Sequence, residues 1–228
     1  MKKILIAIFL ILVACSFAFS VQKSEFPGKL PLQLSNYRGI KSELVIYLTG
    51  DGGWNKFSQK LVLDIEKEGY GVVALNSRKY FRNKKTPEIF AQDIEYLANY
   101  YTQEWNKTSL IIVGYSFGAD VSAFLPKRLS NAVLSKMDHI ALLSPSISTD
   151  FVINLKDLIG DSRNTKRKYK IGPELADSNF PIICIFGMDE DLKLKNTPVK
   201  SKWLKIHKLP GNHHYKENTA LLVQKIGL

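Results

Sequence analysis

Scarcity narrows the class of this chain before any motif is read. It holds only two cysteines in 228 residues, Cys15 and Cys184, too few for a disulfide framework or a Cys-only zinc site. Histidine is nearly as rare, at four residues, so imidazole chemistry has few places to reside. Fourteen glycines and nine prolines follow no period, which excludes collagen-like and low-complexity chains. No internal repeat or domain linker interrupts the sequence. Acidic side chains are in deficit, 21 Asp and Glu against 32 Lys and Arg, for a formal net charge of +11. Hydrophobic residues at 45% and charged residues at 23% are those of a folded chain, and the length suits one α/β domain. The positive excess asks for an anionic partner, either nucleic acid or an anionic membrane surface.

The first twenty residues bear on that choice. Lys2 and Lys3 precede Ile4 to Ala14, a run with no polar residue, and small residues follow. These are the parts of a secretory signal over residues 1–20, leaving 21–228 as a single domain. Ala18-Phe19-Ser20 offers small residues for cleavage before Val21, which would release a soluble exported or periplasmic protein. Leu12-Val13-Ala14-Cys15 instead resembles a lipobox that would lipidate Cys15. The apolar stretch from Ile4 to Val21 also approaches the ~17–25 residues of a bilayer span, so an uncleaved anchor is a third option. Export argues against nucleic acid. Loss of Lys2 and Lys3 with the signal lowers the charge only from +11 to +9, so the charge belongs to the domain. Anionic phospholipid would attract it by ~1 kcal/mol per basic residue near the surface; simple solubility is the plainer explanation.

Short apolar runs bounded by Gly, Asn, Ser and Pro predict strands over 44–48, 71–75, 109–113, 139–143, 181–186 and 203–209, with an added edge strand over 30–34. The runs are nearly continuous in apolar residues, as in a parallel sheet covered on both faces. Helices are expected over 55–68, 86–101, 117–129 and 217–225, the second with Pro87 at its first position. This alternation implies a three-layer, doubly wound α/β domain, a mostly parallel sheet with helices on both faces. Residues 150–180 break the rhythm with a basic cluster (Arg163, Lys166, Arg167, Lys168, Lys170) where a lid or a solvated loop would sit.

Gly114-Tyr115-Ser116-Phe117-Gly118 fits G-x-S-x-G between an apolar strand and a helical pattern, the context of a nucleophile elbow. A serine hydroxyl is a weak nucleophile and needs an oriented base. In this kind of site the acid and the histidine follow the serine in chain order. Asp189, Glu190 and Asp191 follow the run 182–186; Glu190 is preferred by its distance from the strand, with Asp189 next. His213 and His214 follow the last strand, and His214 is preferred because an aromatic residue comes after it. His139 and His207 fall within strands and read as structural. A His-His-acid metal site would leave the elbow a coincidence, and neither metal nor cofactor is expected. The oxyanion donors expected are the backbone N–H of Phe117 and, from the loop Thr49-Gly50-Asp51-Gly52-Gly53-Trp54, that of Asp51. That loop lacks the Gly-Lys-Ser/Thr ending of a P-loop and the spacing of a dinucleotide fingerprint.

Taken together, T-G-D-G-G-W (49–54), R-K-Y-F (78–81), K-T-P (85–87), G-Y-S-F-G-A-D (114–120) and L-P-G-N-H-H-Y (209–215) resemble the bacterial virulence protein VirJ/AcvB family of the α/β-hydrolase superfamily. The resemblance implies an α/β-hydrolase fold and an exported serine hydrolase acting on aminoacylated phosphatidylglycerol, notably lysyl-phosphatidylglycerol. It also implies a link to envelope stress and to secretion-system proteins of type IV. The family pattern usually carries a cysteine near the acid, where this chain has Asn196-Thr197-Pro198, so Cys184 reads as a buried strand residue. A lysyl ester carries two ammonium groups, for which Asp51 and Asp120 are the substrate-binding carboxylates the motifs place near Ser116; Asp51 could instead brace the oxyanion loop, and Asp120 could satisfy backbone or Arg partners within the fold. The runners-up are a general carboxylesterase or thioesterase and a non-catalytic envelope scaffold.

Overall fold

Strands whose successive residues are all apolar must be covered on both faces, and the sheet meets that requirement. The computed structural model describes residues 30–35, 38–153, 167–191 and 193–228. The expected signal segment with Cys15, and Arg163 and Lys166 of the basic cluster, lie outside them. Nine strands are described: β1 (Leu32–Leu34), β2 (Glu43–Leu48), β3 (Gly71–Leu75), β4 (Ser109–Tyr115), β5 (Met137–Leu143), β6 (Ser148–Thr149), β7 (Tyr169–Lys170), β8 (Ile182–Gly187) and β9 (Leu204–Leu209). Seven form one sheet in the order β1-β3-β2-β4-β5-β8-β9. Only β1 runs antiparallel, against β3. Every residue of β3, and all but the first of β2 and β4, is buried.

The helices are α1 (Lys56–Lys67), α2 (Ser77–Tyr80), α3 (Pro87–Glu104), α4 (Phe117–Ser122), α5 (Asn131–Leu134), α6 (Ile171–Ala176), α7 (Lys193–Asn196) and α8 (Thr219–Ile226). Their starts are legible locally. The Asn55 side chain accepts the Ser58 N–H at 3.0 Å, and Thr86 caps α3 ahead of Pro87, so orphan N–H groups at each start find an acceptor. On one face, α1 and α8 bury Leu61, Ile65, Leu222 and Ile226 against Tyr47, Val113, Leu143 and Ile185 of the sheet. Alternate strand residues turn the other way, by the two-residue period of a strand, and α3 buries Phe90, Ile94 and Leu97 on that side.

Two expectations are corrected. The helix expected over 117–129 ends at Ser122. Pro126 has no N–H to give and disfavours helical geometry at Leu125, so the chain tightens into bonds from Phe124 N–H to Val121 O and from Leu125 N–H to Ser122 O. The insertion over 150–180 is not all solvated loop. At its described ends, β6 pairs with β7, and Phe151 is fully buried among Phe81, Phe90, Phe124 and Tyr169. No helix among the described residues is long and apolar enough to cross a membrane.

The chain moves from β2 outward to β3 and then returns to place β4 on the opposite flank of β2. At such a reversal the loops leaving β2 and β4 diverge and open a crevice at the carboxyl ends of the strands. Ser116 and the 49–54 loop leave the sheet there.

Candidate active site

Ser116 follows β4 with φ 54° and ψ −118°, a backbone region that a serine occupies only under constraint. The constraint comes from both sides. Its N–H donates to Leu143 O at 2.8 Å, which holds the end of β4 against β5. The two motif glycines let the turn close. A methyl group on Gly114 would lie 2.5 Å from Gly118 O, and one on Gly118 would lie 2.3 Å from Leu48 O. The elbow is therefore pressed against the end of β2, and only glycine fits at either position.

The same pressure brings up the glycine-rich loop. A methyl on Gly50 would stand 3.2 Å from Ser116 Cβ, so this loop passes directly beside the nucleophile. The loop closes on itself through Gly53 N–H to Gly50 O at 3.0 Å, with Gly53 at φ 69°. Thr49 anchors it by donating to Gly50 O and accepting from Ser77 N–H at 2.9 Å. Among the described residues, the Asp51 and Phe117 amides have no protein acceptor. Two free backbone donors on the flanks of a serine are what an oxyanion requires.

The candidate acid and base come from the loops after β8 and β9. The Glu190 carboxylate is buried; Oε2 accepts Gly187 N–H at 2.7 Å, and Oε1 lies 2.6 Å from His213 Nδ1. Asp189 is exposed and contributes its N–H to Gly211 O at 3.0 Å. Asp191 is also exposed. Of the two histidines, the structure pairs His213 with the acid. His214, which the aromatic neighbour favoured, is exposed and sets its ring edge-on to Phe57 with centroids 5.5 Å apart. His213 is tied to the elbow through Tyr115, whose hydroxyl donates to its carbonyl at 3.1 Å and whose ring lies 5.2 Å away. With Nδ1 engaged by Glu190, Nε2 is the nitrogen left to exchange a proton.

Sequence reasoning missed the part that aims this histidine. Tyr215, Lys216 and Glu217 all have positive φ, near 50–60°. The turn is pinned by the buried Tyr215, whose hydroxyl donates to Ile185 O at 2.9 Å and lies 2.5 Å from Ser144 Oγ. The aromatic after the histidines was visible; its role as the anchor of the turn was not.

Of the two carboxylates expected in the pocket, Asp120 is occupied. Its oxygens accept the Ser146 N–H at 2.6 Å and the Ser146 hydroxyl at 2.7 Å, which clasps α4 to the loop after β5. Burial pushes its pKa up to about 7, against those bonds and the charges of Arg167 and His213. Asp51 stays half-buried on the loop beside Ser116. Burial raises the Tyr115 hydroxyl far above its ordinary value, with further contributions from Tyr47, Glu190 and Asp51, so it stays protonated as a donor. Burial likewise pushes the Cys184 thiol up to about 12, as expected of an inert strand residue. His139 and His207 lie in β5 and β9, away from these loops. Among the described residues no group of His, Cys, Asp and Glu is arranged to hold a metal.

Residues 42–227 match the family model described as bacterial virulence protein (VirJ). A search of curated proteins returns no match. Among solved structures, the chain is similar to a lipase-esterase related protein from Clostridium acetobutylicum at 13% identity and a TM-score of 0.63, covering 88% of this chain and 99% of that one. Est1E from Butyrivibrio proteoclasticus is similar at 13% identity and TM-score 0.59, covering 86% and 89%. The thioesterase domain from the curacin biosynthetic pathway is similar at 13% identity and TM-score 0.55, covering 88% and 100%. At these identities the likeness is one of fold, and the fold is that of the α/β-hydrolases.

Proposed function

The chain belongs to the bacterial virulence protein (VirJ) family, and from that premise we propose that it is an exported serine hydrolase cleaving the aminoacyl ester of aminoacylated phosphatidylglycerol, lysyl-phosphatidylglycerol first among them. The observation that carries the hydrolase reading is the Glu190–His213 pair, 2.6 Å apart, beside a strained serine flanked by two free amides. The head group rests on the family resemblance and on Asp51, a carboxylate near the serine able to meet an ammonium group.

The reaction runs as acyl transfer in two halves. His213 Nε2 takes the Ser116 proton as Oγ attacks the aminoacyl carbonyl, and Glu190 holds the imidazolium through Nδ1–H. The Phe117 and Asp51 amides receive the oxyanion. On collapse, the ester C–O bond breaks and His213 returns the proton to the glycerol oxygen of phosphatidylglycerol. Water, deprotonated by His213, then attacks the acyl-serine and releases the free amino acid. Export fits residues 1–20 as a signal, with release before Val21 or lipidation at Cys15.

The test is a panel of aminoacyl-phosphatidylglycerols incubated with the protein and read by mass spectrometry, beside Ser116→Ala. Loss of free lysine in the variant is expected; full turnover without the serine would sink the assignment. Faster cleavage of neutral chromogenic esters or thioesters than of any aminoacyl lipid would transfer the reading to a general esterase or thioesterase. Failure of Ser116 to react with a fluorophosphonate would favour a scaffold role.

A further inference from the structure

The positive charge is unevenly spread along the chain. Residues 192–216 hold seven lysines and neither an Asp nor a Glu. Folding gathers much of this stretch on one border of the molecule. β9 is the last strand of the sheet and pairs with β8 alone, so among the described residues its other edge has no partner strand. Lys205 and Lys208 are exposed on β9, and Lys200 and Lys202 are exposed on the segment leading into it. None of the four forms an ion pair among the described residues. The nearby His207 is held below its ordinary value, first by burial and then by the charges of Lys205 and Lys225.

Lysines on an edge strand guard against strand-to-strand aggregation. That purpose does not account for the two large apolar side chains among them. Trp203 is 38% exposed and Ile206 is 44% exposed. The Lys202 ammonium lies 5.2 Å from the Trp203 ring centroid, so charge and aromatic surface form one patch. On a guarded edge, exposed Trp and Ile would work against the lysines. At an anionic bilayer they work together, with the ammonium groups on lipid phosphates and the indole at the boundary of head group and acyl chain.

We propose that the β9 border, Lys200 to Lys208 with Trp203 and Ile206 at its centre, docks the protein on an anionic phospholipid bilayer. The geometry gives this docking a use. His213 follows the last residue of β9 by four positions, so the lipid-facing edge runs straight into the loop that carries the base. A lipid headgroup at the Lys208 end of this edge therefore stands on the side of the crevice holding Ser116, while Trp203 lies at the amino end of β9, ~20 Å back along the strand. The purpose of the docking rests on the hydrolase reading; its measurement does not.

The experiment uses the full chain and vesicles of phosphatidylglycerol mixed with phosphatidylcholine, or of phosphatidylcholine alone, carrying bromine on the acyl chains as a quencher. Tryptophan emission is expected to be quenched on the anionic vesicles, and Trp203→Phe should remove that quenching although Trp54 and Trp105 remain. The combined Lys200→Gln, Lys202→Gln, Lys205→Gln, Lys208→Gln variant should partition more weakly by on the order of a thousandfold, and added salt should weaken the native chain in the same direction. Because every variant keeps residues 1–30, any anchoring by that segment cancels between them. Equal binding to both vesicle types, quenching that survives Trp203→Phe, or undiminished binding by the four-lysine variant would overturn the proposal. So would a variant that aggregates yet binds as before, which would make the lysines edge guards. Hydrolysis of a short soluble ester should be unchanged by the four substitutions. Docking without hydrolysis of any aminoacyl lipid by the native chain would overturn the function proposed above and leave this surface standing.

Discussion

His213 Nδ1 lies 2.6 Å from Glu190 Oε1, while the adjacent His214 ring sits edge-on to Phe57 and makes no bond to that carboxylate. Two neighbouring histidines thus have separable expectations. His213→Ala should lower kcat/KM by at least roughly a thousandfold, because it removes the proton carrier of both half-reactions. His214→Ala should stay within a few-fold of the native protein. Steady-state kinetics and fluorophosphonate labelling of Ser116 read both, and a reversed order would reassign the base.

The two acids separate in the same way. Glu190→Gln keeps the shape of the side chain but offers the imidazolium no charge and can hold the wrong tautomer, for which a loss of about 10⁴ in kcat is expected. Asp189→Asn alters an exposed side chain whose backbone alone makes the loop contact, so kinetics near those of the native protein are expected. A large loss at Asp189 with Glu190 spared would move the acid by one residue.

Asp120 ties stability to pH. Its folded pKa of about 7 stands above the ordinary 3.8. Between those values the folded chain keeps a proton that the unfolded chain has released. The contribution of this group is therefore most favourable below about pH 4 and is lost as pH rises to about 7. Asp120→Asn retains an acceptor for the Ser146 N–H and has no proton to lose. Urea midpoints at about pH 4.5 and about pH 7.5 should differ less in the variant than in the native chain. An identical pH slope in both would show that the carboxyl does not titrate there.

The turn carrying the base depends on one hydroxyl. Tyr215→Phe leaves the buried Ser144 hydroxyl and the Ile185 carbonyl without that partner, at a cost of about 1–3 kcal/mol. Thermal unfolding should fall by several degrees, at about 2–4 °C per kcal/mol for a chain of this size. An unchanged Tm would mean that the ring alone holds the turn.

Much of the architecture was legible because parallel strands buried on both faces leave unbroken apolar runs, and because Asn55 and the Thr86-Pro87 pair announce helices by local capping. The end of α4 was harder to read. Phe124 and Leu125 keep the apolar pattern beyond Ser122, while Pro126 ends the hydrogen bonding. Ser116 was legible from its glycines, since their absence of side chains is demanded by contacts close in sequence or by the adjoining strand. The choice between His213 and His214 was not, because it depends on three non-glycine residues at positive φ. Side-chain chemistry gives little sign of that geometry; a buried tyrosine bonded to Ile185 of β8 and to Ser144 just after β5 enforces it. Asp120 was misleading for a related reason. Its place near the serine was evident, but its bonds to Ser146 cross between segments that only the fold brings together.

Gly118 lies so close to the Leu48 and Thr49 carbonyls that main chain alone sets how the loop after β2 meets the elbow after β4. The two amides proposed to receive the oxyanion, those of Asp51 and Phe117, belong to those two segments. Position 51, half-buried on its loop, is thus freer to change identity than position 117, whose phenyl ring is buried against Phe81. Selectivity and turnover would become separately heritable here: drift at position 51 would retailor the acyl group admitted while the main-chain frame proposed for the oxyanion stays constant.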